Sequence, residues 1–166
     1  MTQLRSINWS RVLVYGLLPG LALLLAMSAG LLKWKDSSIR DIDDARSQAV
    51  AAARDSTVSV LTFRFDTVDR DVAATREKLT GAFLDTYTQR TQQELIPNAK
   101  QRHVAATANV SGAAPESVTP NKATVLLFVD QTVKIGDTPP VASEYDVRVT
   151  LDKIGERWLV SDFDQY

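Results

Sequence analysis

Residues Tyr145-Asp-Val-Arg-Val-Thr-Leu-Asp152 decide how this chain is read. Tyr145, Val147, Val149 and Leu151 alternate with Asp146, Arg148, Thr150 and Asp152. A period of two puts the first set on one face of a strand and the second on the other. Gly155-Glu156 then supplies a tight turn into Arg157–Phe163, with Trp158 and Val160 on one face and Leu159 on the other. Upstream, Ala123–Lys134 has a nearly continuous apolar middle from Val125 to Val129, which predicts a strand buried on both faces. Before that, Val104, Ala106, Ala108 and Val110 alternate with His103, Ala105, Thr107 and Asn109, and Gly112 to Pro120 reads as turn. The pattern predicts four strands, at about 102–112, 122–134, 143–153 and 157–163.

Earlier in the chain the period is helical. Ile42, Ala45, Ala49, Ala52, Ser56, Val60 and Phe63 recur at steps of three and four, predicting a helix over about 37–63. Val68, Val72 and Leu79 mark a second helix over about 67–79. A third, over about 82–96, carries Phe83 and Tyr87 inward and is expected to end at Pro97. Three helices followed by an antiparallel meander make an α+β layout rather than alternating βα units. Helices packed on one face of a curved sheet resemble the NTF2-like cone fold, with one open end.

Val12–Leu32, VLVYGLLPGLALLLAMSAGLL, is a 21-residue stretch without charge. As a helix it is roughly 31 Å long, about the thickness of a bilayer's hydrocarbon core. Trp9 and Trp34 flank it, and Arg5, Arg11, Lys33 and Lys35 lie outside its ends. The expected organisation is a basic tail at 1–11, a transmembrane helix at 12–32 and an α+β domain at 33–166. A competing reading is a cleaved signal peptide with Ala26-Met27-Ser28 at its processing site, although the apolar run continues past that point. As a signal-anchor, the span predicts a single-pass protein of the cell membrane with its C-terminal domain extracytoplasmic. Gly16, Gly20, Ala22, Ala26 and Gly30 form rows of small residues and are the candidate contacts with another membrane helix.

The chain has 166 residues, 19 Lys+Arg, 20 Asp+Glu, one His and no Cys. Arg5 and Arg11 precede the span and no acid does, so the rest of the chain carries a formal charge of −3. That balance does not favour nucleic acid as a partner. Without Cys there is no disulfide, thiolate metal site or thiol nucleophile. No phosphate-binding glycine loop, nucleophile elbow or His-based zinc motif occurs. The acid/base candidates are His103 with Asp66, Asp69 or Tyr87, and His103 falls on the polar phase of its strand. Phe83, Tyr87, Trp158 and Phe163 are the candidate lining of an apolar cavity, or equally core residues. The expectation is therefore no catalytic residue, metal or cofactor.

Several short stretches, in order, resemble a known family: Ala49-Ala53-Arg54 leading to Val60-Leu61-Thr62-Phe63, Thr67–Asp71, Leu79-Thr80-Gly81-Ala82-Phe83, Val125–Thr132, Arg148–Leu151 and Gly155–Ser161. Together with the span, they are similar to the Mce-associated membrane proteins of actinobacteria. The resemblance implies an NTF2-like domain on a membrane helix, accessory to a system that moves lipids or sterols across the cell envelope. It implies the membrane and Mce transporter subunits as partners, with lipid or sterol as a further one, and carries over no catalytic residue.

Overall fold

A computed structural model describes residues 42–166. The expected tail, the membrane span and the small residues Gly16, Gly20, Ala22, Ala26 and Gly30 lie outside the described residues. Among the described residues no helix is long and apolar enough to cross a membrane.

Helix α1 covers residues 42–61. It buries Ala45, Ala49, Ala53, Ser56 and Thr57. The stripe follows the i, i+4 row, so Ala53 rather than Ala52 points inward. Small side chains let the helix backbone lie close to the sheet. Helix α2 (Val68–Arg76) buries Val68, Val72 and Thr75. Helix α3 (Gly81–Arg90) begins after the extended Thr80. It passes through a π-turn at Thr91–Leu95 into helix α4 (Ile96–Arg102).

The helix expected to stop before Pro97 therefore continues to Arg102. The Thr91 hydroxyl donates to the Tyr87 carbonyl at 2.7 Å and lies 3.1 Å from that of Thr88. This satisfies carbonyls at the start of the irregular turn. The wider π-turn then precedes Pro97, whose ring clashes with the i−4 carbonyl of a regular helix and whose nitrogen has no proton to donate. The chain leaves α4 at His103, in the left-handed region at φ 51°.

Four strands follow: β1 (Val104–Val118), β2 (Lys122–Ile135), β3 (Val141–Ile154) and β4 (Arg157–Gln165). They form an antiparallel meander in sequence order. The α+β, NTF2-like architecture expected from the periodicities is thus the observed one. The first strand is longer than expected. Gly112–Val118, read as turn, stays paired with Ala123–Phe128. Irregularities at Val110/Gly112 and Pro115/Ser117 absorb the residues that would break a regular ladder.

The core lies between α1 and the inner face of the sheet. Val125, Leu127, Val129, Val147, Val149, Leu151 and Val160 are fully or almost fully buried there. The expectation of burial on both faces of β2 is corrected. Leu126 is half-buried and Phe128 is 43% exposed, because the helices cover the inner face only. Part of each sheet edge is closed locally. Phe63 bridges Ala106, Ala108 N–H donates to Thr62 Oγ1 at 3.0 Å, and Arg54 Nη1 donates to the Val110 carbonyl at 3.0 Å. On the opposite edge Thr80 N–H donates to the Val160 carbonyl at 2.8 Å. These contacts pin α1 and the α2–α3 connection to the sheet.

Candidate functional site

The open end of the cone holds a pocket of about 610 Å³. Val60, Leu61 and Phe63 supply one wall from the end of α1, and Phe83 and Tyr87 face it from α3. Leu95, at the end of the π-turn, and Phe163, on β4, close the apolar lining. Phe83 and Phe163 stack with ring centroids 5.6 Å apart and planes 6° apart. Tyr87 is buried and tilts against Phe83 at 6.1 Å. Burial raises the Tyr87 phenol above its ordinary pKa. Arg90, Glu94 and Asp164 add charge of both signs to the lining.

Gln131 is the polar residue that ties pocket to scaffold. Its Nε2 donates to the Leu61 carbonyl at 3.0 Å, and its Oε1 accepts from the Tyr145 hydroxyl at 2.9 Å. The first bond satisfies a carbonyl that the end of α1 leaves without a helical partner. Burial also raises the Tyr145 phenol. Gln131 carries no periodicity signal, since it follows Asp130 at the polar end of β2. Its inward direction follows from the same parity as Val125, Leu127 and Val129.

The structure brings together three of the four aromatics singled out as candidate lining: Phe83, Tyr87 and Phe163. Trp158 is elsewhere. It is buried in the core with Val160, and the Lys153 ammonium lies 5.9 Å from its ring centroid. Trp158 and Phe163 have opposite parity on β4. The irregularity that skips Ser161 between Val160 and Asp162 sets Phe163 beside inward Val149, and only Phe163 reaches the open end. His103 does not enter the pocket. It is exposed at the α4–β1 junction, edge-on to Phe65 with centroids 4.9 Å apart. Asp66 is held by Arg64 Nε at 3.1 Å, and that hydrogen bond lowers its carboxyl pKa. Asp69 pairs with Lys100. The acid/base candidates are thus dispersed, apart from Tyr87. Among the described residues no group of three or more His, Asp or Glu side chains is placed to hold a metal ion.

Residues 17–163 match the family described as "Uncharacterized protein Rv1363c/MT1408-like". The chain belongs to this family. It is 50% identical over 157 residues to "Outer membrane protein Rv1973" of Mycobacterium tuberculosis, covering 95% of this chain and 98% of that protein. It is 40% identical over 150 residues to "Uncharacterized protein Rv1362c" of the same organism, covering 86% of this chain and 68% of that protein. Among solved structures, an IcmL-like type IV secretion system protein of Legionella pneumophila aligns with a TM-score of 0.63 at 11% identity, over 73% of this chain and 91% of that one. The VirB8 protein of Agrobacterium tumefaciens aligns with a TM-score of 0.56 at 12% identity, over 70% and 88%. At such identities the likeness establishes a shared fold.

Proposed function

We propose that this chain is an anchored accessory protein of the cell envelope, working by protein contact within a membrane transport assembly rather than by catalysis. The observation that carries the reading is the joining, in one chain, of an uncharged 21-residue segment to a domain with the VirB8-like fold. A relative named as an outer membrane protein supports an envelope location. The dispersal of His103, Asp66 and Asp69 away from the pocket supports a role without chemistry. We further propose an Mce-type lipid or sterol transporter as the assembly, on the resemblance of the ordered stretches from Ala49 to Ser161. In this reading the segment 12–32 is the single membrane anchor and the α+β domain is extracytoplasmic. Affinity purification of the full chain after mild detergent extraction tests it. Transporter subunits are expected to copurify; their absence, under conditions that keep the transporter assembled, refutes the reading.

The pocket favours a second reading, in which the open end of the cone binds a lipid or sterol. Its volume falls within the roughly 300–1,000 Å³ of small-molecule sites. Stacked Phe83 and Phe163 and the aliphatic Leu61 and Leu95 offer apolar contact. Native mass spectrometry of the chain extracted from envelopes would show a retained lipid or sterol. Loss of that species in Phe163→Asp, but not in a surface variant such as Lys134→Ala, is the result expected. Retention in both refutes this reading.

A further inference from the structure

The outer face of the sheet, turned away from the helices, is unpartnered among the described residues. Its centre is apolar. The register sets Gly112 beside Phe128 and Ala114 beside Leu126. Phe128 packs over Gly112 so closely that a Cβ there would lie 2.8 Å from Phe128 Cδ2, yet the residue remains 43% exposed. An exposed phenylalanine in the middle of a central strand leaves part of its transfer free energy unused. The glycine beneath it weakens the strand it belongs to. Neither choice serves the core, which lies on the opposite face.

The border of this patch is acidic. Asp130 stands directly opposite Glu144, and Phe128 directly opposite Asp146. Like charges facing each other across a strand pair are destabilising. Among the described residues none of these three acids forms an ion pair. The nearby Arg148 is already engaged. Its Nε lies 2.9 Å from Glu116 Oε2, and its guanidinium carbon lies 5.1 Å from the centroid of the Tyr166 ring.

We propose that this face, centred on Phe128 and bordered by Asp130, Glu144 and Asp146, docks a basic segment of another protein that offers an apolar contact to the Phe128 ring. The inference rests on the accessory-by-contact reading and names its surface and the partner's chemistry. Charge selects the occupant. A second copy of the chain docked through the same face would bring acid against acid, and an anionic lipid surface would be repelled. A segment rich in Lys or Arg relieves the Asp130–Glu144 repulsion while burying the ring.

The test places benzoylphenylalanine at Phe128 in the full chain and irradiates intact envelopes. The expected product is an adduct with an identified protein other than this chain, attached at a Lys/Arg-rich segment. Its yield should fall at least fivefold with D130N/E144Q and fall as salt is raised. The D130N/E144Q variant should be at least as heat-stable as the parent, because it removes a like-charge pair. Adducts only to lipid, to a second copy or to the chain's own residues overturn the inference, as does no adduct or a yield insensitive to D130N/E144Q. If the adduct depends on the acids but the captured protein is not a transporter subunit, the docking face stands and the Mce reading falls. If transporter subunits copurify but nothing cross-links from position 128, the reading stands and this face is refuted.

Discussion

Replacing Gly112 with alanine gives a direct measure of how Phe128 is seated. The added Cβ would lie 2.8 Å from Phe128 Cδ2, with Cε2 and Cγ at 3.6 Å. Carbon atoms pack at roughly 3.5–4.0 Å, so the ring must retreat by about 0.7 Å or more. Overpacking of this kind costs about 1–2 kcal/mol, shared between the ring's displaced rotamer and the local backbone. Gly112 does not have positive φ, so alanine gains the usual relief of unfolded-state entropy, about 0.5–1 kcal/mol. The net expectation is a loss of about 0.5–1 kcal/mol. With Phe128→Ala in the background the obstacle is gone, and the same Gly112→Ala change should stabilise by about 0.5–1 kcal/mol. The coupling in the double-mutant cycle is then about 1–2 kcal/mol. Residues 42–166 form one compact unit, and in a fragment of that span Trp158 is the single tryptophan. Urea unfolding followed by its fluorescence should show the Gly112→Ala midpoint falling by about 0.4 M. If Gly112→Ala stabilises equally in both backgrounds, the close seating of Phe128 on Gly112 is refuted.

Gln131→Leu removes the acceptor of the Tyr145 hydroxyl and the donor to the Leu61 carbonyl; a loss of about 2–3 kcal/mol is expected in the same assay, and a loss under about 0.5 kcal/mol would mean that neither bond matters. Leu127→Ala empties a fully buried position and should cost about 2–5 kcal/mol, whereas Leu126→Ala, half-buried on the outer face, should cost clearly less. The phenols of Tyr87 and Tyr145 are raised by burial from the ordinary 10.0. The native state therefore holds those protons more tightly than the unfolded chain. This contribution is fully present below pH 10 and lost as pH rises through the raised native values. Tyr87→Phe should flatten the alkaline fall in stability, and an unchanged fall would exclude Tyr87 as a source.

The β-meander was legible because strand geometry is local. Tyr145–Asp152 alternates at a period of two, and the buried set is the apolar one from Val147 onward. Longer-range features were less visible. Gly112 and Pro115 look like turn residues, and only pairing with Phe128 and Val125, eased by two irregularities, keeps that segment in the sheet. Pro97 looks like a helix stop, yet the helix passes through it by way of the Thr91 hydroxyl and the π-turn.

The candidate site divides in the same way. By itself, the sequence determined the residue types available: no thiol, one imidazole, a charge-free segment and a set of inward-phased aromatics. Parity could say that Trp158 and Val160 share a face, but not that an irregularity at Ser161 turns Phe163 to that face as well. It could not say that Trp158 is covered by core while Phe163 stops at the open end with Phe83. Nor could it say that Phe128, inside the longest apolar run of β2, faces away from the helices. Those outcomes depend on which side of the sheet the helices cover and how far they extend. Periodicity comes from the geometry of a few adjacent residues, whereas cover is supplied by elements distant in the chain, so only the tertiary structure decides it.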